Sequence, residues 1–275
     1  DNPYTEALKA DANKTPKYDK QEAIYDGLLA EIDEAIALID EAETGPEGDV
    51  VYNGDMAAWK KFANSLKMRL ALRIVDRNAA QSEFEAAYNS GAFESNDDNA
   101  LLHYGEFPSG NPIYYNRYVS GRNDYCASDV FLDSTLTPLN DPRRPCFFRP
   151  ASATGLWIGE VYGLTEANGA QTPNSRISQR SLLTLSATLP GIFMDYAQVE
   201  FMIAEAAERG WAVTGSAEDH YNQGITASIS FWTELNGTPA SGADIAAYLA
   251  QPDVNYQTAA GDWKQKIGVQ KWIAL

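Results

Sequence analysis

The chain has 275 residues, 44% of them hydrophobic and 21% charged, enough material for one large domain or two ordinary ones and the wrong composition for disorder, collagen or coiled coil. Thirty-eight acids against twenty-one bases leave a net charge of −17, a field that repels nucleic acid and anionic lipid surfaces alike. Two cysteines and two histidines are too few for the usual four-ligand zinc or iron–sulfur site, and no run approaches the roughly 18 apolar residues of a membrane span.

Helical periodicity opens the chain. Ile24, Leu28, Ile32, Ile36 and Ile39 recur at helical spacing between Lys20 and Ala42, and Thr44-Gly45-Pro46 stops that helix. Asp55 is placed to cap a second helix running to about Arg77. Trp59, Phe62, Leu66, Leu70 and Ile74 form its apolar stripe, with Lys60, Lys61, Lys67, Arg69 and Arg73 on its other faces. A shorter helix from Gln81 to Asn89 is closed by Ser90-Gly91.

Residues 96–189 break the pattern. More than half of the thirteen prolines fall here, and Asn111-Pro112, Asn140-Asp141-Pro142 and Arg149-Pro150 read as turns. Leu156 to Val161 and Leu182 to Leu185 are candidate short strands. So long a stretch without elements of its own is improbable in a compact domain, so it is expected to fold as a substantial irregular insert. Helical signal returns at Pro190, a favourable first-turn residue, and Phe193, Tyr196, Val199 and Ile203 mark one face. Ser216 with Asp219 resembles a capping box and opens a further helix with Tyr221, Ile225, Ile229 and Trp232. Helices from Ala243 to Ala250 and from Asp262 onward complete the set. The fold class expected is mainly α: a tetratricopeptide-like scaffold of helical hairpins over residues 1–95 and 190–275, interrupted by the loop-rich insert 96–189 within a single domain, 1–275.

Chemistry is sparse. No phosphate loop, nucleophile elbow or zinc-protease helix is present. His220 sits beside Asp219 on a helix surface and reads as solvated or capping; His103, in Leu101-Leu102-His103-Tyr104, reads as a satisfied half-buried imidazole. Ser95 to Asn99 is rich in oxygen but lacks the spaced ligands of a calcium loop. Neither a cofactor nor a metal is expected, nor catalysis. Cys126 and Cys146 would close a loop worth on the order of 3 kcal/mol if joined, and two isolated buried thiols fit the spacing as well.

The insert carries the one concentrated signal. Tyr104, Tyr114, Tyr115, Tyr118 and Tyr125 are five of the fifteen tyrosines, interleaved with Asn111, Asn116, Arg117, Arg122, Asn123 and Asp124, and followed by Trp157 and Tyr162. Flat rings beside planar amide, guanidinium and carboxylate groups match what a sugar offers, an apolar C–H face and hydroxyls that take paired hydrogen bonds. A loop packed on itself by its tyrosines is the competing reading. Lysine is missing between Lys67 and Lys264, so arginine alone supplies cations there. The candidate ligand-binding set is Tyr104, Tyr114, Tyr115, Asn116, Tyr118, Arg122, Asn123, Asp124, Tyr125, Trp157 and Tyr162.

Six segments in order resemble the SusD/RagB family: Pro3 to Leu8 with Pro16 to Asp19, Trp59 to Ile74, Asn140 to Pro145, Tyr196 to Ala207, Tyr221 to Ile225, and Ile267 to Leu275. The resemblance implies a cell-surface lipoprotein of Bacteroidota that caps a TonB-dependent outer-membrane transporter of the SusC type and captures oligosaccharide, or sometimes peptide, for import. It implies that Trp59, Phe62, Leu66 and Leu70 are scaffold core, and that membrane contact runs through an N-terminal lipid anchor outside this sequence. Family members are longer, so part of the glycan platform is expected outside this stretch. The competing functions are capture of peptide or another nutrient, a helical interaction scaffold with no small ligand, and, furthest from the residues, a glycosidase.

Overall fold

A computed structural model describes residues 2–76, 80–105, 110–123, 125–165 and 172–275. The chain is mainly α and divides into two compact units, residues 1–94 with Gly210–Val213, and residues 95–209 with 214–275.

The first unit is built on α1 (Gln21–Leu38), α2 (Met56–Arg73) and α3 (Ala80–Asn89), with α2 packed against both of the others. Asp55 caps α2 as expected, its carboxylate accepting from the N–H groups of Ala57 and Ala58 at 2.9 and 3.0 Å. In the loop before it, the Asp49 carboxylate collects the Val51 and Gly54 N–H groups and the Trp59 indole N–H at 2.8–2.9 Å. Because α2 has neighbours on two sides, its buried residues are not the aromatic stripe but Ala63, Asn64, Ser65, Lys67, Met68 and Ala71, while Trp59, Phe62, Leu66 and Leu70 are half-buried. Lys67, expected on an outer face, is instead buried. Its ammonium bridges Asp33 of α1 at 2.6 Å and Glu83 of α3 at 2.8 Å, so the buried charge is paired twice.

The second unit begins with the short strand β1 (Ala100–Leu102). Within the irregular segment lie α4 (Pro112–Tyr114), α5 (Asp129–Phe131), α6 (Arg144–Phe147), β2 (Phe148–Arg149) and β3 (Gln179–Arg180). Helices α4 and α5 each run on into a wide turn of π type, Tyr115–Val119 and Leu132–Leu136. After β4 (Gly191–Met194) come α7 (Tyr196–Glu208), α8 (Ala217–Leu235), α9 (Gly242–Leu249) and α10 (Trp263–Ala274). Strand β1 pairs antiparallel with β4, and β2 with β3.

Helices α7 and α8 form the central hairpin, and α10 packs on both. Val199, Phe201 and Met202 of α7 are fully buried, as are Ile225 and Ile229 of α8. Gly224 permits their close approach: a Cβ there would stand 3.0 Å from the Phe201 ring. The Ser216–Asp219 capping box forms as read from the sequence. His220 does not face solvent. Its Nδ1 meets Glu200 on α7 and its Nε2 meets the Thr214 carbonyl oxygen, both at 2.6 Å, so it laces α8 to its neighbour and to the preceding turn.

Two other expectations fail. Pro190 does not start a helix: Gly191–Met194 is taken up by pairing with β1, and α7 waits for Asp195, whose carboxylate accepts from the Gln198 N–H at 2.7 Å. Leu156 to Val161 contributes only a single bridge, Ser128 to Glu160, and Leu182 to Leu185 is a turn; the segment's strands are β2 and β3 instead. The turn Asn140-Asp141-Pro142-Arg143 carries a buried polar hub. The Arg143 guanidinium donates to Asp141 from Nε at 2.9 Å and Nη2 at 2.7 Å, to Ser228 of α8 at 3.0 Å and to Gln270 of α10 at 3.1 Å. The Tyr248 hydroxyl of α9 donates to the same Asp141 carboxylate at 2.6 Å. This hub ties the irregular segment to three scaffold helices.

Candidate functional site

The site grows from the turn that carries the tyrosines. Asn111 is buried and caps α4, its side-chain oxygen accepting from the Ile113 and Tyr114 N–H groups at 2.9 and 3.0 Å. Its amide donates to the Leu189 carbonyl oxygen at 2.9 Å, which pins the turn to the chain leading into β4. The π-type turn then leaves α4 by two bonds, Ser120 N–H to the Tyr115 carbonyl at 3.0 Å and Arg122 N–H to the Asn116 carbonyl at 2.8 Å. Such widened turns are frequent at functional sites because they re-aim side chains out of helical register. Gly121, at φ 73°, reverses the chain after it.

The returning chain meets the two-stranded ladder. Cys126 bridges to Gln179 of β3, and Gln179 pairs on its other side with Arg149 of β2. Three short stretches therefore lie side by side although they come from residues 126, 149 and 179. Between this ladder and the tyrosine turn is a small pocket, partly open to solvent. The turn contributes Ile113, Asn116 and Arg117; the following loop Arg122, Asn123 and Tyr125; the ladder Arg149, Gln179 and Arg180; and Leu185 closes the apolar side. Burial pulls the Arg180 guanidinium below its ordinary pKa, and the Tyr125 phenol beside it compensates only in part.

Of the expected ligand-binding residues, Asn116, Arg122, Asn123 and Tyr125 converge on this pocket. Tyr114, Tyr115 and Tyr118 belong to the same turn without lining it. Tyr118 is 52% exposed and its ring centre lies 4.8 Å from that of Tyr114; Tyr115 and Tyr125 are 42% and 54% exposed. These rings are therefore not a self-packed plug. Tyr104 lies apart and half-buried over β4, where a Cβ on Gly191 would come within 3.0 Å of its hydroxyl. Trp157 is also apart: it packs on the cluster of Leu132, Leu136 and Ile273, and the Arg144 guanidinium covers one ring face at 4.6 Å. Tyr162 is 86% exposed, and its backbone N–H donates to the Asp129 carboxylate at 3.2 Å. Asp124 lies outside the described residues.

Sequence reading missed Ile113, Arg149, Gln179, Arg180 and Leu185. The available signal was the arginine-only cation supply of the insert; the β2–β3 pairing that gathers those arginines joins residues some thirty apart and leaves no periodic trace.

Elsewhere the candidate chemistry resolves into structure. Ser95 to Asn99 forms caps, with a Ser95–Asp98 capping box and the Asn99 side-chain oxygen accepting from the Tyr196 N–H at 2.6 Å. Among the described residues no group of three or more His, Cys, Asp or Glu gathers where a metal could be held, and no helix is long and apolar enough to cross a membrane. His103 is exposed rather than half-buried. Both cysteines are free thiols, and burial pushes that of Cys146 up to about 11.

Solved structures with this fold include a chitin-binding protein, 34% identical over 94% of this chain and 58% of that one, with a TM-score of 0.80. A chitin-binding SusD homolog from Flavobacterium johnsoniae is 28% identical over 99% of this chain and 60% of that one, with a TM-score of 0.80. A SusD homolog from Bacteroides uniformis is 28% identical over 99% of this chain and 60% of that one, with a TM-score of 0.81. The chain thus spans about three fifths of the length of these structures. No curated protein matches it. The family profile described as "Starch-binding associating with outer membrane" matches residues 1–275 from end to end, and the chain belongs to that SusD-like family.

Proposed function

We propose that this chain captures oligosaccharide at the pocket between the tyrosine turn and the β2–β3 ladder, without chemistry, and hands it to a SusC-like TonB-dependent transporter of the outer membrane. Lipid anchoring at the cell surface belongs to the same proposal, and the family's description as associating with the outer membrane supports it. The observation that carries the reading is the convergence of Asn116, Arg122, Asn123, Tyr125 and Gln179 on one pocket beside the exposed rings of Tyr115 and Tyr118. A pyranose offers a C–H face to a ring such as Tyr125, and adjacent hydroxyls to planar amides and guanidiniums that hydrogen-bond in pairs. Relatives named as chitin-binding support a saccharide over a peptide. Cargo that must be passed on suits weak capture, micromolar to millimolar, about −8 to −4 kcal/mol.

Titration calorimetry with malto- and chito-oligosaccharides and with acidic oligosaccharides tests the reading. At least one panel member is expected to bind, and Tyr125→Ala to weaken that binding about tenfold, about 1.4 kcal/mol, with the circular dichroism unchanged. Silence across the whole panel contradicts it, and release of shorter products from a labelled oligosaccharide contradicts capture without chemistry.

A further inference from the structure

Seven arginines lie in residues 96–189, and Arg117, Arg122, Arg149 and Arg180 line this one pocket. No Asp or Glu is among the described residues that line it, in a chain with 38 acids and a net charge of −17. Arg117, Arg149 and Arg180 make no ion pair among the described residues; the Arg117 guanidinium instead lies 5.8 Å from the centre of the Tyr118 ring. Like charges gathered in one concavity repel each other, and half-burying Arg180 adds desolvation without a carboxylate to offset it. Folding therefore tolerates the ladder arginines Arg149 and Arg180 side by side with no ion pair to either among the described residues.

We propose that the pocket takes an anionic sugar residue, a uronate or a sulfated pyranose, with the ladder arginines Arg149 and Arg180 on its acidic group and Tyr125 under its ring. This rests on the oligosaccharide reading above and specifies its substrate class. The guanidinium fork matches both a planar carboxylate and two oxygens of a sulfate ester, and it stays charged at any physiological pH. The amides of Asn116, Asn123 and Gln179 are left for the hydroxyls. An extended polyanion such as nucleic acid is repelled by a chain of net charge −17, which weighs far less on one charged sugar within a short chain.

The test is calorimetry with matched probes: tetragalacturonate against its methyl ester, and a sulfated carrageenan tetrasaccharide against its desulfated form, with chitotetraose and maltotetraose as neutral references. At least one acidic probe is expected to bind about tenfold more tightly than its neutralised partner, with the advantage shrinking as salt is raised. In Arg149→Gln/Arg180→Gln the advantage is expected to fall to about threefold or less. Arg149→Gln alone, at an exposed position, gives the same reading in smaller amount if the double variant does not fold. Preference for the uronate or for the sulfate identifies which acidic group the site accepts. Neutral probes binding as tightly as acidic ones, or a charge preference that survives both substitutions, overturns the anionic assignment and leaves oligosaccharide capture standing. Silence from every probe removes both.

Discussion

Replacing Arg143 by methionine removes the centre of the buried hub while keeping much of its volume. The guanidinium makes two bonds to Asp141 and one each to Ser228 and Gln270, and both members of the ion pair are fully buried. Burial alone drives the Asp141 carboxyl upward, and the guanidinium reverses that and holds it below the usual carboxylate range. Methionine leaves this carboxylate with two donors, the backbone N–H of residue 143 at 2.8 Å and the Tyr248 hydroxyl at 2.6 Å. Breaking one side of a buried pair costs about 3–5 kcal/mol, and the two surviving donors place this case at about 3. Asp141→Asn combined with Arg143→Met is expected to lose less than the sum of the two single changes, because no charge is then stranded. Arg143→Lys keeps the charge but not the fork, and falls between wild type and methionine. Urea unfolding followed by tryptophan fluorescence reads the wild type, the two single changes, the double change and Arg143→Lys. A loss below about 1 kcal/mol for Arg143→Met, the scale of an exposed pair, refutes the hub as a structural tie.

The stability that Asp195 contributes should fall as pH rises from about 4 through 6. Asp195 is raised by burial from 3.8 to about 6, so between those values the folded state holds a proton that the unfolded state has lost. The span is worth about 3 kcal/mol, and Asp195→Asn, which keeps an N-cap oxygen, should flatten that slope and stabilise the chain at neutral pH. His220 acts in the same direction. Burial lowers its pKa, but the Glu200 carboxylate and the Thr214 carbonyl raise it further, so its contribution is complete below its unfolded value of 6.5 and is lost above its folded one. A slope across pH 4–6 that Asp195→Asn leaves unchanged contradicts the Asp195 assignment, and a slope above pH 6.5 that His220→Gln leaves unchanged contradicts that of His220. Gly159→Ala should cost about 2 kcal/mol, since its Cβ would stand 2.4 Å from the Asp129 nitrogen; unchanged urea unfolding would show that the loop yields freely. Reducing agent should leave the melting temperature unchanged, and thiol titration after unfolding should count both cysteines; a reductant-sensitive melt contradicts the free thiols.

What was legible in the sequence was local. Asp55, Ser216 with Asp219, and Asp262 announce helix starts through side chains that bond to backbone two or three residues on, and each does so in the structure. The near half of the pocket was legible for the same reason, because Asn116, Arg122, Asn123 and Tyr125 are close in sequence. The far half was not. Arg149, Gln179 and Arg180 sit on strands two residues long, whose pairing is decided by tertiary packing rather than by periodicity. Lys67 and His220 depart from their expected exposed positions because charge reads as exposure, whereas Lys67 is buried and His220 half-buried beside the carboxylates they bond to. Trp157, in the same segment as the tyrosines, does not line the pocket and packs half-buried against the cluster that includes Ile273 of α10.

The central claim is that cargo is held by the irregular segment and not by the helices. Hydrogen–deuterium exchange with and without a saturating oligosaccharide tests it most directly. Slowed exchange is expected in peptides covering 111–123 and 176–185, with residues 21–94 unchanged. Protection confined to α1, α2 and α3, or no change anywhere at saturation, contradicts it.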